Sequence, residues 1–235
     1  MKMLEAENLT VRYGVHEIVK KVSFTVEEGQ WFMLVGPNGA GKSTILNAIS
    51  GGAAYTGNLR CMGKDIRRFS RRELAQTMAI LSQGHGVGYD FSVREVVALG
   101  RYAYKTESPA EKEEHIRNAM EITGITDLAE KSVLHLSGGE LQRTFLAQVF
   151  AQEPKILILD EPTRGIDVGA KYEIYQLIID LANKGKTVIV VSSEMPELLG
   201  ICDRIVVMSG GRVAGEVDGQ NTTQEEIMTL AAKYV

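Results

Sequence analysis

The stretch Gly36-Pro37-Asn38-Gly39-Ala40-Gly41-Lys42-Ser43-Thr44 constrains this chain more than any other. It satisfies the pattern G-x-x-x-x-G-K-[ST]. It follows a short apolar run, Trp31 to Val35, and precedes Ser43 to Ser50, whose composition is helical. Glycines in such a turn let the backbone wrap closely enough for successive N–H groups to face phosphate oxygens, and the helix N-terminus adds positive potential. In that setting Lys42 pairs with the β- and γ-phosphates of a nucleotide, and the Ser43 hydroxyl coordinates Mg²⁺. The motif alone fits kinases, GTPases and transport ATPases equally.

A second acidic element narrows the chemistry. Ile156-Leu157-Ile158-Leu159-Asp160-Glu161 brings two carboxylates to the end of a continuous apolar run, the pattern of a parallel strand buried on both faces. Open α/β sheets bind ligands at that end of their strands. Asp160 suits a Mg²⁺ shell, and Glu161 suits a general base that polarises the attacking water.

The remaining pattern is α/β. Glu5 to Arg12 and Ile18 to Val26 read as strands, as do Gly57 to Met62 and Thr77 to Leu81. From about Gly84 to Glu153 the spacing is helical, at Ser92 to Arg101, Pro109 to Thr123 and Ser137 to Gln152. In the last of these, Leu141, Phe145, Leu146, Val149 and Phe150 share a face. Residues 85–153 therefore read as a helical insertion in a core made of 1–84 and 154–235. A helix at Val168 to Asn183, a strand at Thr187 to Ser192, a hairpin across Gly210-Gly211 and a final helix at about Thr223 to Lys233 complete the expected core.

Composition excludes several classes. The net charge of −4 builds in no general attraction to nucleic acid or anionic lipid. The cluster Arg67, Arg68, Arg71 and Arg72 lacks interleaved aromatics and reads as a solvated face. Two cysteines, Cys61 and Cys202, form neither a disulfide framework nor a zinc pattern, which fits a reducing compartment. Met1 to Glu5 lacks the apolar core of a signal peptide. The longest apolar stretches are far short of the roughly 20 residues of a membrane helix.

Leu136-Ser137-Gly138-Gly139-Glu140 opens the helix beginning at Ser137. Ser137 and Glu140 are spaced as a capping box. Two consecutive glycines in a first helical turn are unfavourable, and approach of backbone N–H groups to an anion would account for them. In this order, the phosphate loop, Leu136 to Glu140 and Leu159-Asp160-Glu161 resemble the ATP-binding cassette family over essentially the whole chain. The resemblance implies a P-loop ATPase core with an antiparallel β subdomain and an inserted helical subdomain. It makes Ser137, Gly138, Gly139 and Glu140 the signature motif, which covers the γ-phosphate held by a second subunit. Tyr13 becomes the aromatic residue that stacks on adenine. Gln83 becomes the glutamine that contacts Mg²⁺ and couples to a membrane-spanning partner. Asp167, in Pro162-Thr163-Arg164-Gly165-Ile166-Asp167, becomes an aspartate at the dimer interface.

Two positions depart from the family pattern. The usual final glutamine of the signature is Glu140. Where the family places a histidine that contacts the γ-phosphate, this chain reads Val190-Val191-Ser192-Ser193-Glu194-Met195-Pro196-Glu197, which puts Ser193 at that catalytic position. His16, His85, His115 and His135 all lie elsewhere. Phe91 to Tyr102 resembles cassettes of siderophore, haem and cobalamin importers, whereas Arg164 to Lys171 with Ser192 to Glu197 resembles the second cassette of simple-sugar importers. The resemblance thus implies an ATPase using ATP and Mg²⁺, working as a dimer beneath a permease on the inner face of the cell membrane. An extracytoplasmic binding protein would serve as a further partner. A soluble cassette of iron–sulfur assembly type and a binding-only regulatory cassette share the same nucleotide residues.

Overall fold

Parallel strands buried on both sides require cover on each face, and two layers provide it. The computed structural model describes residues 1–82, 88–193 and 199–234. In chain order the elements are β1 (Lys2–Tyr13), β2 (His16–Glu27), β3 (Trp31–Val35), α1 (Lys42–Ile49), β4 (Tyr55–Cys61) and β5 (Lys64–Asp65). They continue with α2 (Arg71–Thr77), β6 (Met78–Leu81), α3 (Val93–Ala98), α4 (Pro109–Ile122) and α5 (Gly138–Ala151). Beyond these come β7 (Ile156–Asp160), α6 (Val168–Asn183), β8 (Thr187–Ser192), β9 (Arg204–Ser209), β10 (Arg212–Asp218) and α7 (Gln224–Ala231).

Six strands form the central sheet in the order β10-β9-β3-β8-β7-β6. It is parallel except for β10, which returns antiparallel on β9. Alternate residues supply its two faces. Met33, Val35, Leu157, Leu159, Val188 and Val190 join a core with α3 to α7. Phe32, Leu34, Ile156, Ile158, Ile189 and Val191 join a second core with α1 and the four-stranded antiparallel sheet β2-β1-β4-β5. β3 and the interiors of β7 and β8 are therefore apolar at successive positions, which is why their sequences show no period-2 alternation.

The register fixes where chemistry can happen. Val35 pairs with Ser192, and Asp160 pairs with Val191. The ends of β3, β7 and β8 thus meet at one edge, and the loop after β3 leads directly into α1.

Helix starts follow a common local rule. Ser70, Ser92, Ser108 and Ser137 each accept from a backbone N–H three residues on, and the glutamate at that position reaches back to close a capping box. Such caps contribute roughly 1 kcal/mol each.

Two expectations shift. Thr77 ends a helix rather than starting a strand, because the Ser70 and Glu73 capping box nucleates α2 through the arginine cluster. Those arginines are partly engaged: Arg67 pairs with Asp65, and the Arg72 Nε donates to the Ala103 carbonyl at 2.7 Å. The helix expected from Ser92 to Arg101 is α3 followed by a 3-10 turn at Leu99–Arg101. There Arg101 is buried, and its guanidinium donates to the Ala151 carbonyl and pairs with Glu107 and Glu153.

Candidate nucleotide site

Among the described α-helices, α1 is the exception to the capping rule. Its N-cap is Gly41 and no side chain accepts from its first N–H groups, whereas each of the others has a Ser, Asp or Thr cap. The first turn of a helix carries unsatisfied donors and a positive dipole end. Leaving both open at the end of β3 creates a place for an anion. The loop is pressed against the sheet: Gly36 has φ of 152°, and a Cβ there would lie 2.4 Å from the Met208 carbonyl oxygen. No side chain fits that approach.

Lys42, the first residue of α1, is buried at 6% exposure. Its Nζ donates to the carbonyl oxygens of Gly36 at 2.7 Å and Pro37 at 3.3 Å. Burial pushes its pKa below the ordinary lysine value, against the opposing pull of Glu161 and Asp160, while the charge of Arg164 acts with burial. Asp160, at the end of β7, is held above the usual aspartate range, chiefly by burial. A hydrogen bond from Ser43 and the charge of Lys42 oppose that rise, and the neighbouring Glu161 reinforces it.

Glu161 has a left-handed backbone, with φ of 50°, and its N–H donates to the Val191 carbonyl at 2.8 Å. A non-glycine residue there carries about 1 kcal/mol of strain, which the β8 hydrogen bond helps to hold. Asp160 Oδ1 and Glu161 Oε2 are both buried without a hydrogen-bond partner. Buried carboxylate oxygens are costly in that state. The hard oxygens of Asp160 and Ser43 beside a phosphate-binding turn fit Mg²⁺, which takes few protein ligands together with phosphate oxygens and water.

A hollow of about 160 Å³ opens over these groups, lined by Asn38, Gly39, Lys42, Thr44, Glu161 and Arg164 among others. Arg164 is the residue that sequence reading missed as a site group. The turn after Glu161 brings it there: the Arg164 N–H donates to the Glu161 carbonyl at 3.2 Å, and the Ile166 N–H to Thr163 at 3.4 Å. The segment is anchored on two sides. Gln142 of α5 donates to the Pro162 carbonyl at 2.7 Å, and the Thr163 and Tyr175 hydroxyls are 2.7 Å apart. Only the position of Arg164, three residues beyond Glu161, could have drawn attention to it.

The other expected residues distribute as follows. Ala40 is buried in the loop, and its N–H donates to the Pro37 carbonyl at 3.1 Å. Tyr13, half exposed at the end of β1, has its hydroxyl 3.2 Å from Asn47 Nδ2 of α1, beside the phosphate loop rather than in it. Ser193 follows β8 at the active edge and is half-buried, outside the lining of the hollow. Asp167 caps α6, accepting from the Ala170 N–H at 3.0 Å.

Ser137 and Glu140 form the expected capping box, with the Glu140 carboxyl held below its usual range mainly by the Ser137 N–H. The two signature glycines differ. A Cβ on Gly138 would meet nothing within 4 Å, whereas one on Gly139 would lie 2.8 Å from the Ala170 Cβ. Packing of α5 on α6 thus explains Gly139, and no contact among the described residues explains Gly138. None of the signature residues lines the hollow. Gln83, His85 and Glu194 to Glu197 lie outside the described residues.

Comparison with known proteins gives a consistent result. The family model described as ABC transporter matches residues 19–164. The chain is 40% identical over 248 aligned residues to the galactose/methyl galactoside import ATP-binding protein MglA of Treponema pallidum (strain Nichols), covering 99% of this chain and 48% of that protein. It is 36% identical to the hemin import ATP-binding protein HmuV of Rhodococcus jostii (strain RHA1), covering 96% and 78% respectively. The chain thus spans about half the length of the MglA relatives it matches. Among solved structures, cbiO1 of Clostridium perfringens, part of the ABC transporter complex cbiONQ, superimposes with a TM-score of 0.85 at 28% identity, over 97% of this chain and 92% of that one. A dimeric ATP-binding cassette in a post-hydrolysis state with ADP and Pi superimposes with a TM-score of 0.82 at 25% identity, over 94% and 100%. With the phosphate loop, the paired carboxylates and the capped signature all in place, the chain belongs to the ABC transporter family, as an ATP-binding cassette.

Proposed function

We propose that this chain hydrolyses ATP as the motor subunit of an importer, pairing with a second copy around Mg-ATP beneath a separate membrane permease. The observation that carries this reading is the pair of buried, unpartnered carboxylate oxygens of Asp160 and Glu161 beside Lys42 at an uncapped helix start. Such a site is completed by polyphosphate and a divalent cation rather than by protein.

Each side chain has a separable task. Lys42 exchanges the Gly36 and Pro37 carbonyls for phosphate oxygens, and the free N–H groups of α1 receive the rest. Asp160 and Ser43 would hold Mg²⁺, which when bound neutralises charge on the β- and γ-phosphates. Glu161 accepts the proton of the attacking water, held by its β8 hydrogen bond at the mouth of the hollow. Tyr13 stacks on the base. Ser137 and Gly138 of one copy, exposed and outside their own chain's hollow, cover the nucleotide of the other. Gly139, Glu140 and Asp167 support that interface.

Binding then closes the dimer and hydrolysis reopens it, a two-state switch biased by the γ-phosphate. The helical part, residues 85–153, passes the movement through Gln83 to the permease. The likeness to MglA, a galactose/methyl galactoside import protein, and to HmuV, a hemin import protein, supports import. The proposed cargo is a sugar or an iron-siderophore, haem or cobalamin-type molecule delivered by an extracytoplasmic binding protein. On this reading the chain works at the cytoplasmic face of the membrane. No described helix is long and apolar enough to cross it.

The test uses the purified chain with Mg-ATP. Phosphate release by the wild type, together with an ATP-dependent dimer of Glu161→Gln on size-exclusion chromatography, is expected. A Glu161→Gln protein that stays monomeric with saturating Mg-ATP overturns the scheme.

A further inference from the structure

Ser193 leaves a gap in the charge balance of this site. A hydroxyl donates a neutral hydrogen bond, whereas bonds from a cation to phosphate are roughly twice as strong. Lys42 already faces two carboxylates, Asp160 and Glu161, before any phosphate arrives. A triphosphate adds further negative charge, and the described residues lining the hollow include one more cation, Arg164.

We infer that Arg164 contacts the terminal phosphate of the bound nucleotide and supplies the positive charge that Ser193 lacks. The inference rests on the ATPase reading above and assigns a residue to that same site. Arg164 shares the lining of the hollow with Lys42, Asn38 and Glu161. Its segment is held by the Glu161 turn, by Gln142 at Pro162 and by the Thr163–Tyr175 hydroxyl pair. The side chain is exposed at the lining of the hollow, where an incoming anion can reach it. A guanidinium presents paired N–H donors that match phosphate oxygens, which a lysine does not.

The distinguishing property is selectivity for the third phosphate, so the experiment compares ATP with ADP. Calorimetric titrations with Mg-ATP and Mg-ADP are run on Glu161→Gln and on the same protein carrying Arg164→Gln, Arg164→Lys, or Arg164→Gln with Ser193→His. Arg164→Gln is expected to weaken ATP by about tenfold, the worth of one hydrogen bond to a charged group, while moving ADP by less than about twofold. Arg164→Lys keeps part of the preference, and Ser193→His restores much of it. Equal weakening of ATP and ADP, or no change in either, overturns the assignment. Lys42→Ala separates this outcome from failure of the ATPase reading. Loss of both nucleotides in Lys42→Ala with no effect in Arg164→Gln removes only Arg164. Retained binding in Lys42→Ala removes the reading itself.

Discussion

Lys42 Nζ donates to the carbonyl oxygen of Gly36 at 2.7 Å, so the cation proposed to bind phosphate closes the loop upon itself. The bond satisfies the ammonium but does not restore what burial removed, and the lysine pKa stays depressed.

That relationship predicts a trade of function against stability. A lysine whose folded pKa lies below its unfolded value costs stability while protonated, and the cost disappears only as pH rises through the folded pKa. At neutral pH, Lys42→Met should therefore melt at or above the wild-type temperature without nucleotide, yet lose ATP binding. Calorimetric melting with and without Mg-ATP checks both halves. A lower melting temperature in the nucleotide-free variant would contradict the prediction.

Ser193 gives a second prediction. Ser193→His should raise steady-state ATP turnover of the purified protein, since a protonatable ring adds charge and reach at the β8 end. A phosphate-release assay at saturating ATP decides it, and unchanged or lower turnover counts against the placement of Ser193 at the switch position.

The signature glycines should separate cleanly on substitution to alanine. Gly139→Ala drives a methyl against Ala170 and should destabilise the monomer by about 1–3 kcal/mol, the usual range for overpacking. Gly138→Ala meets open space, and its monomer should melt within a degree or two of wild type or slightly above it, as helix propensity suggests. Its effect should appear in ATP-driven dimerisation of the Glu161→Gln background. Sedimentation and thermal melting of the two variants distinguish the cases.

The acid limb of stability should report α2. The Glu73 carboxyl is pushed down to about 2 from 4.5, first by the Ser70 backbone N–H, then by the Ser70 hydroxyl and Lys64. A depressed carboxylate contributes stability above its unfolded pKa and loses it as pH falls toward the folded value. Glu73→Gln should therefore melt below wild type at neutral pH, with the difference shrinking between about pH 4.5 and 2. A constant difference across that window would show that the capping box does not set it.

The parts of the fold that were legible in the sequence are those where chemistry demands a local pattern. The run from Trp31 through Thr44 and the run from Ile156 to Glu161 are each contiguous, and β3, α1 and β7 lie within a residue or two of their expected bounds. Helix α2 was hidden because its arginines look solvated, and the signal was the Ser70 and Glu73 pair at capping-box spacing. Arg164 was hidden for a different reason. It lines the hollow because of a turn held by Gln142 and Tyr175, residues distant in sequence. Gly139 likewise owes its identity to a neighbouring helix that no local spacing reveals.

The bare start of α1 has one more consequence. Every other described α-helix is finished by its own side chains, so its first turn is complete when the chain folds. On the proposed function the first turn of α1 is finished only when phosphate arrives, which would make the nucleotide the cap of that helix. Occupancy of the site and fraying of α1 are then a single equilibrium, and the amide protons after Gly41 are its natural reporters.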